Sequence, residues 1–183
     1  MGATSMDYGA LFDEHMAGEF VAKSIDTTMA TMAQDPIVLH VPTSTGGRGT
    51  GDVRRFYDEF FIGTFPDDFE VRSLSRTIGA GRLVDEMIVS FTHTRDVPIF
   101  LPGVQPTGRH VRVPLVAIVA FVDDKVASEH LYWDQASLLV QVGLLDPANL
   151  PVRGVEETIA LEADQADNAL LVGVTPGSAS HPN

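Results

Sequence analysis

The sequence predicts an α+β fold: a cone-shaped, curved antiparallel sheet with helices packed on its concave face. Three observations predict it. Up to Phe61 the apolar residues recur at helical spacing, interrupted by one short strand. From Phe69 the period changes to two and stays there for three long strands and a fourth shorter one. Turn residues, and no helices, separate those strands, so consecutive strands pair antiparallel and the helices collect on one face. A curved sheet that does not close leaves a cone, and its mouth is the natural ligand site.

Ser5 is placed to cap a first helix, in which Tyr8, Leu11, Phe12, His15 and Met16 share a stripe and which Gly18 ends. Val21, Ile25, Thr28, Met29 and Met32 form the stripe of a second helix. Asp35-Pro36 breaks that pattern, and Ile37–Val41 reads as a short strand closed by Pro42. The glycine-rich run 43–51 reads as a loop leading into a helix; with no lysine at the helix start it is not a phosphate loop. Thr50 or Asp52 is placed to cap the third helix, whose Val53, Phe56, Tyr57, Phe60 and Phe61 carry the strongest helical signal in the chain and read as core.

Phe69–Ile78 and Arg82–Thr94 read as strands joined by the Gly79-Ala-Gly81 hairpin. Residues 95–108 hold three prolines and two glycines, a long connection of the kind that forms lids. Val111–Asp123 is nearly continuous apolar strand, where Pro114 implies a bulge or an edge position. Ala136–Leu145 is a short helix. We expect residues 1–150 to form the cone domain and 151–183 an acidic extension, weakly helical over Glu156–Asn168, with a poorly ordered tail beyond Thr175.

A net charge of −13 disfavours nucleic acid and anionic membrane as partners, since both require a positive surface. The longest apolar runs are too short to span a bilayer and the N-terminus lacks a signal pattern, so a cytoplasmic protein is expected. The absence of cysteine excludes disulfides, thiolate nucleophiles and cysteine-ligated metals.

The stretch Val126–Asp134 places two acids, a histidine, a tyrosine and the single tryptophan in nine residues of strand. Alternation puts Ala127, Glu129, Leu131 and Trp133 on one face and Ser128, His130, Tyr132 and Asp134 on the other, unless a bulge near Tyr132 intervenes. Neither face is a plain core face, which points to a polar-lined pocket.

Leu101-Pro-Gly-Val-Gln-Pro-Thr-Gly-Arg109, the strand after it, a further strand ending in an acid, and Leu138-Leu-Val-Gln-Val-Gly143 resemble the SnoaL-like polyketide cyclases. These belong to the nuclear transport factor 2-like superfamily, with ketosteroid isomerase and limonene epoxide hydrolase. The resemblance covers roughly Glu19 to Asp146. It implies a cone around a deep apolar cavity, commonly dimeric through the outer sheet face. It also implies that Leu131 stands where cyclases and the epoxide hydrolase carry a catalytic aspartate, with Asp134 as the acid three residues on. Counting back from Arg54-Arg-Phe-Tyr57, His40 takes the place of the general base of ketosteroid isomerase.

The expected function is a cofactor-independent enzyme of isomerase, cyclase or lyase type, acting by proton transfer on a small hydrophobic carbonyl or polyketide-like compound. His40 is the expected base, because imidazole titrates near neutrality without a large shift. Glu129, its pKa raised by burial unless Arg112 pairs with it, or His93 at the rim is the expected acid. Trp133, Tyr132, Asp134, His130, Phe91 and Leu131 are the expected binding residues, with Asp134 also placed to cap the following helix. No His-x-His or HExxH pattern signals a metal, and none is expected. The alternative is a non-catalytic small-ligand-binding or assembly module, and a homodimer is expected in either case.

Overall fold

The computed structural model describes residues 6–166, so Ser5 and the tail beyond Thr175 lie outside the described residues. Helix α1 (Tyr8–Met16) is capped by Asp7, whose side chain accepts from the Ala10 N–H at 3.0 Å. It does not end at Gly18. A π-helical turn, Ala17–Val21, carries it on, and Ser24 then caps α2 (Ile25–Ala30). Such a turn adds a residue to the helical repeat and re-aims the side chains after it.

Strand β1 (Met32–His40) starts earlier than the proline suggests. Between the pairs Met32↔Val126 and Ile37↔Ser128 the chain advances farther on β1 than on β6, and Pro36 lies within that irregularity, where no ladder donor is required. The glycine-rich run is no loop: Thr45–Arg48 is strand β2, paired with β1 through His40↔Thr45 and Leu39↔Gly46. Glycine is required there, because a Cβ on Gly46 (φ +133°) would lie 2.0 Å from the Val38 carbonyl oxygen. Helix α3 (Gly49–Phe56) follows and passes into a second π-helical turn, Tyr57–Phe61. Neither Thr50 nor Asp52 caps it; Arg48 holds the cap position without a side-chain bond, and the Thr50 hydroxyl donates to the Gln34 carbonyl on β1.

β3 (Glu70–Gly79), β4 (Arg82–Thr92), β5 (His110–Val122) and β6 (Lys125–Trp133) complete a six-stranded sheet of order β2-β1-β6-β5-β4-β3. All pairs are antiparallel except β1 with β6. Burial alternates along β5: Val111, Val113, Leu115, Ala117, Val119 and Phe121 are buried against the helices, while Val116, Ile118 and Ala120 on the outer face are half-covered. Pro114 sits in an interior strand, yet beyond the last β6 pair, Leu115↔Trp133. The amide of Gln141, on α4 (Gln135–Gln141), takes the place of a strand there: it accepts from the Arg112 N–H at 2.8 Å and donates to the Arg112 carbonyl at 2.9 Å.

Residues 95–108 are less a loose lid than a wedge, since Val97, Ile99, Phe100 and Leu101 are all buried in the core. Two backbone bonds, His93 N–H to Arg109 and Gly108 N–H to His93, close its base. A last helix, α5 (Glu156–Glu162), lies against β5, with the Thr158 hydroxyl on the Arg112 carbonyl and Glu162 paired with Arg72 and Arg112.

Candidate active site

Between the concave face and the helices lies a cavity of about 40 Å³, lined mainly by phenylalanine, methionine and aliphatic side chains. That is room for about three waters, at roughly 10–15 Å³ each. Its polar groups are few: His40, Glu19, Tyr57 and Glu129. At one end the rings of Phe20, Phe65 and Phe69 pack together, with centroids 5.6, 5.6 and 4.1 Å apart. Beyond them a second, polar recess of about 80 Å³ shares Glu19 and these three rings and adds Lys23, Gly63 and Asp67. The rings therefore separate the inner cavity from a polar mouth.

His40, at the end of β1, is buried among the rings of Phe56, Phe61 and Trp133, with centroids 5.4–6.1 Å from its own. Among the described residues neither of its ring nitrogens has a hydrogen-bond partner. Burial without a partner lowers its pKa to about 4, against the pull of Glu129 and of the Thr45 backbone, which is close without forming a geometrically sound hydrogen bond. The ring is therefore neutral near pH 7.

Glu129 projects inward from β6, as alternation predicts. The strand bulge lies at Ala127, between Val126 and Ser128, and not near Tyr132. Arg112 is not its partner. The Glu129 Oε2 accepts from the Tyr57 hydroxyl at 3.2 Å and lies 3.3 Å from His15 Nε2. Burial alone would raise its pKa, but His15 and Tyr57 outweigh burial and hold it below the usual carboxylate range. Glu129 therefore does not have the raised pKa that burial alone predicts.

His15 Nε2 is also 3.2 Å from Glu19 Oε1 and 3.2 Å from the Tyr57 oxygen. Burial lowers the His15 pKa, and the two carboxylates more than reverse that, leaving it well raised. Glu19, with burial as the leading cause and His15 shared with a second acid, is raised. Tyr57 is raised by burial and by both carboxylates. On the far side of the ring, His15 Nδ1 meets the Thr31 hydroxyl at 2.6 Å, and that hydroxyl donates its hydrogen to the Thr28 carbonyl at 2.6 Å. Thr31 is left as an acceptor, so Nδ1 carries a hydrogen.

The remaining expected residues do not converge on the cavity. His93 is buried at the base of the 95–108 wedge, where its Nδ1 accepts from the Thr107 N–H at 3.3 Å, and it does not line the cavity. Phe91 is core, its ring tilted against that of Phe100 with centroids 5.5 Å apart. Trp133 stands behind His40, its indole N–H on Gln135 Oε1. His130 and Tyr132 lie on the outer face, as the alternation requires. Asp134 caps α4, its Oδ1 accepting from the Ala136 and Ser137 N–H groups at 2.8 and 3.0 Å. Leu131 alone of that set lines the cavity.

The SnoaL-like domain family model matches residues 12–129, from α1 to Glu129 itself. The chain belongs to the SnoaL-like family. Solved structures agree on the fold. AclR from Streptomyces galilaeus, a proposed hydroxylase, is 23% identical over 91% of this chain and 97% of its own, with a TM-score of 0.58. A proposed SnoaL-like polyketide cyclase from Jannaschia sp. CCS1 is 16% identical over 80% of this chain and 99% of its own, with a TM-score of 0.60. A ketosteroid isomerase-like protein from Catenulispora acidiphila, solved with trimethylamine, is 12% identical over 74% and 93%, with a TM-score of 0.55. No curated protein sequence matches the chain.

In this SnoaL-like chain the polar wall thus comes from α1, its π-turn, the π-turn after α3, and β6. Sequence reading placed His15 and Tyr57 on apolar stripes and passed over Glu19. The available signal was His15-x-x-x-Glu19, two ligating side chains one helical turn apart. Among the described residues no helix is long and apolar enough to cross a membrane.

Proposed function

We propose that the chain is a proton-transfer enzyme of isomerase or cyclase type, acting on a small apolar carbonyl compound in this cavity. The observation that carries the reading is His40: a buried imidazole with both nitrogens unpaired, in an otherwise apolar cavity whose other polar side is a hydrogen-bonded cluster. A neutral imidazole in that position can take a proton from the carbon beside a carbonyl. The electron pair moves to the carbonyl oxygen, and the cluster at Tyr57 and His15 supplies the positive pole that steadies it. His40 then returns the proton to another carbon, which completes an isomerisation, or to the alkoxide oxygen left when the enolate carbon closes a ring onto a second carbonyl. Glu129 keeps its charge and serves to hold His15 and Tyr57 in place, so the acid role expected of it passes to the cluster.

Any ligand larger than a few waters must displace Phe20, Phe65 or Phe69 at the mouth, which favours flat, apolar molecules. We also place a homodimer in this reading, joined through the outer sheet face.

The test follows deuterium exchange from D₂O into the α-carbons of a panel of small apolar ketones and enones by NMR. The wild type is expected to accelerate exchange of at least one compound, and His40→Gln to slow that exchange by about 10²–10⁴-fold. Equal rates in the two proteins would remove His40 from the mechanism. A second reading, a non-catalytic small-ligand-binding module, is favoured by Leu131 in the cavity wall where relatives of known activity carry an acid. It predicts saturable binding of panel compounds with no exchange in the wild type.

A further inference from the structure

The polar wall has the composition and geometry of a metal site. His15, Glu19 and Glu129 are all buried, and one ligand atom of each lies within 4.8 Å of the other two. From His15 Nε2 the two carboxylate oxygens are 3.2 and 3.3 Å away. Those separations are long for a charge-assisted N–H···O bond, which runs about 2.7–2.9 Å. They match the spacing of two ligands that share a tetrahedral ion at ~2.0–2.1 Å, roughly 3.3 Å apart.

The outer partners fit as well. Thr31 accepts from His15 Nδ1–H and is itself fixed by the Thr28 carbonyl, so Nε2 is the nitrogen that faces the two acids. An orienting bond on the far nitrogen is the usual companion of a ligating histidine. The π-helical turn that begins at Ala17 bends the repeat between His15 and Glu19; turns of this kind recur at functional sites. Two buried carboxylates that converge on one imidazole nitrogen require a cation between them, either the proton on Nε2 or a metal ion in its place. Glu19 and Glu129 line the same cavity as the unpaired His40, so a fourth position of the ion would face a ligand there.

We propose that His15, Glu19 and Glu129 bind one divalent transition-metal ion of the zinc class, with its open position facing the cavity. The binding itself stands on this geometry alone. That the ion is the positive pole for the carbonyl oxygen rests on the proton-transfer reading above. A proton shared among the same three groups would balance the charge equally well, so the experiment must separate the two cations.

Protein dialysed against EDTA is titrated with Zn²⁺ by calorimetry, and with Co²⁺ by visible absorption, in a non-chelating buffer near neutral pH. One ion per chain is expected, with the intense d–d bands of a four-coordinate Co²⁺ site. Glu19→Gln and Glu129→Gln are expected to weaken binding by about 100-fold or more, and Thr31→Val, which leaves every ligand in place, by about tenfold. Thr31→Val keeps the test decisive if the ligand variants do not fold. The absence of stoichiometric binding in the wild type would overturn the proposal, as would unchanged affinity in the folded variants. Neither result touches deuterium exchange by the metal-free protein, and binding without exchange would instead leave the proposal standing and remove the catalytic reading.

Discussion

His40 and Glu129 are near neighbours on parallel strands, across the registered pairs Val38↔Glu129 and His40↔Leu131. Burial penalises charge on both, and partners decide the outcome. Glu129 has His15 and Tyr57 and stays ionised; His40 has no hydrogen-bonded partner and stays neutral. Because the folded pKa of His40, about 4, lies below its ordinary value of 6.5, the unfolded chain binds more protons between those values. The contribution of His40 to stability is therefore whole above the ordinary value, falls as pH drops through the window, and is flat below the folded value. Its size is about 3 kcal/mol at 1.36 kcal/mol per unit. Chemical denaturation with EDTA present should show the wild type losing about that much more than His40→Gln between neutral pH and pH ~4. Parallel pH curves for the two proteins would mean the imidazole is not desolvated as described.

The elements around the cavity are held by side chains that replace missing backbone partners. Gln141 completes the end of β5 where β6 has stopped, and α5 adds to it through the Thr158 hydroxyl on the Arg112 carbonyl. Ser137 on α4 donates to the Gly154 carbonyl at 2.9 Å, and Glu162 bridges Arg72 on β3 to Arg112 on β5. The exposed ion pairs add little, whereas the buried hydroxyl bonds are worth roughly 1 kcal/mol each. Truncation ahead of Val152 should therefore lower Tm by about 4–8 °C, read by circular dichroism. An unchanged Tm would make the extension an appendage with no part in the fold.

At the scale of the molecule, helices fill the concave face; on the outer face, among the described residues, α5 reaches Arg72 and Arg112, and apolar side chains farther along β5 stay part-exposed. Along β5 the outward Val116, Ile118 and Ala120 are half-covered, beside Val84 of β4, which is 37% exposed. A homodimer through that face would cover this apolar strip. Light scattering of Ile118→Glu should then give monomer where the wild type gives dimer, because the carboxylate would be buried without a partner. A monomeric wild type would refute the dimer outright.

The sequence by itself determined the architecture and the orientation of β6. Periods of 3.6 and 2 are local properties, and the inward turn of Glu129 and Leu131 follows from alternation once the bulge at Ala127 is passed. Even so, Pro36 and the glycine-rich run concealed strand, because a bulge tolerates proline and a close-packed hairpin demands glycine. Only the tertiary structure decided which ionisable groups meet. His15, Tyr57 and Glu129 are far apart in the chain and share a point only after α1 and the π-turn behind α3 fold onto β6, so no local spacing announces them. The same packing leaves His93 at the base of the 95–108 wedge, outside the cavity lining. It also reversed the expected character of Glu129, since desolvation acts on any buried acid and only a partner brought from another element can keep that acid charged.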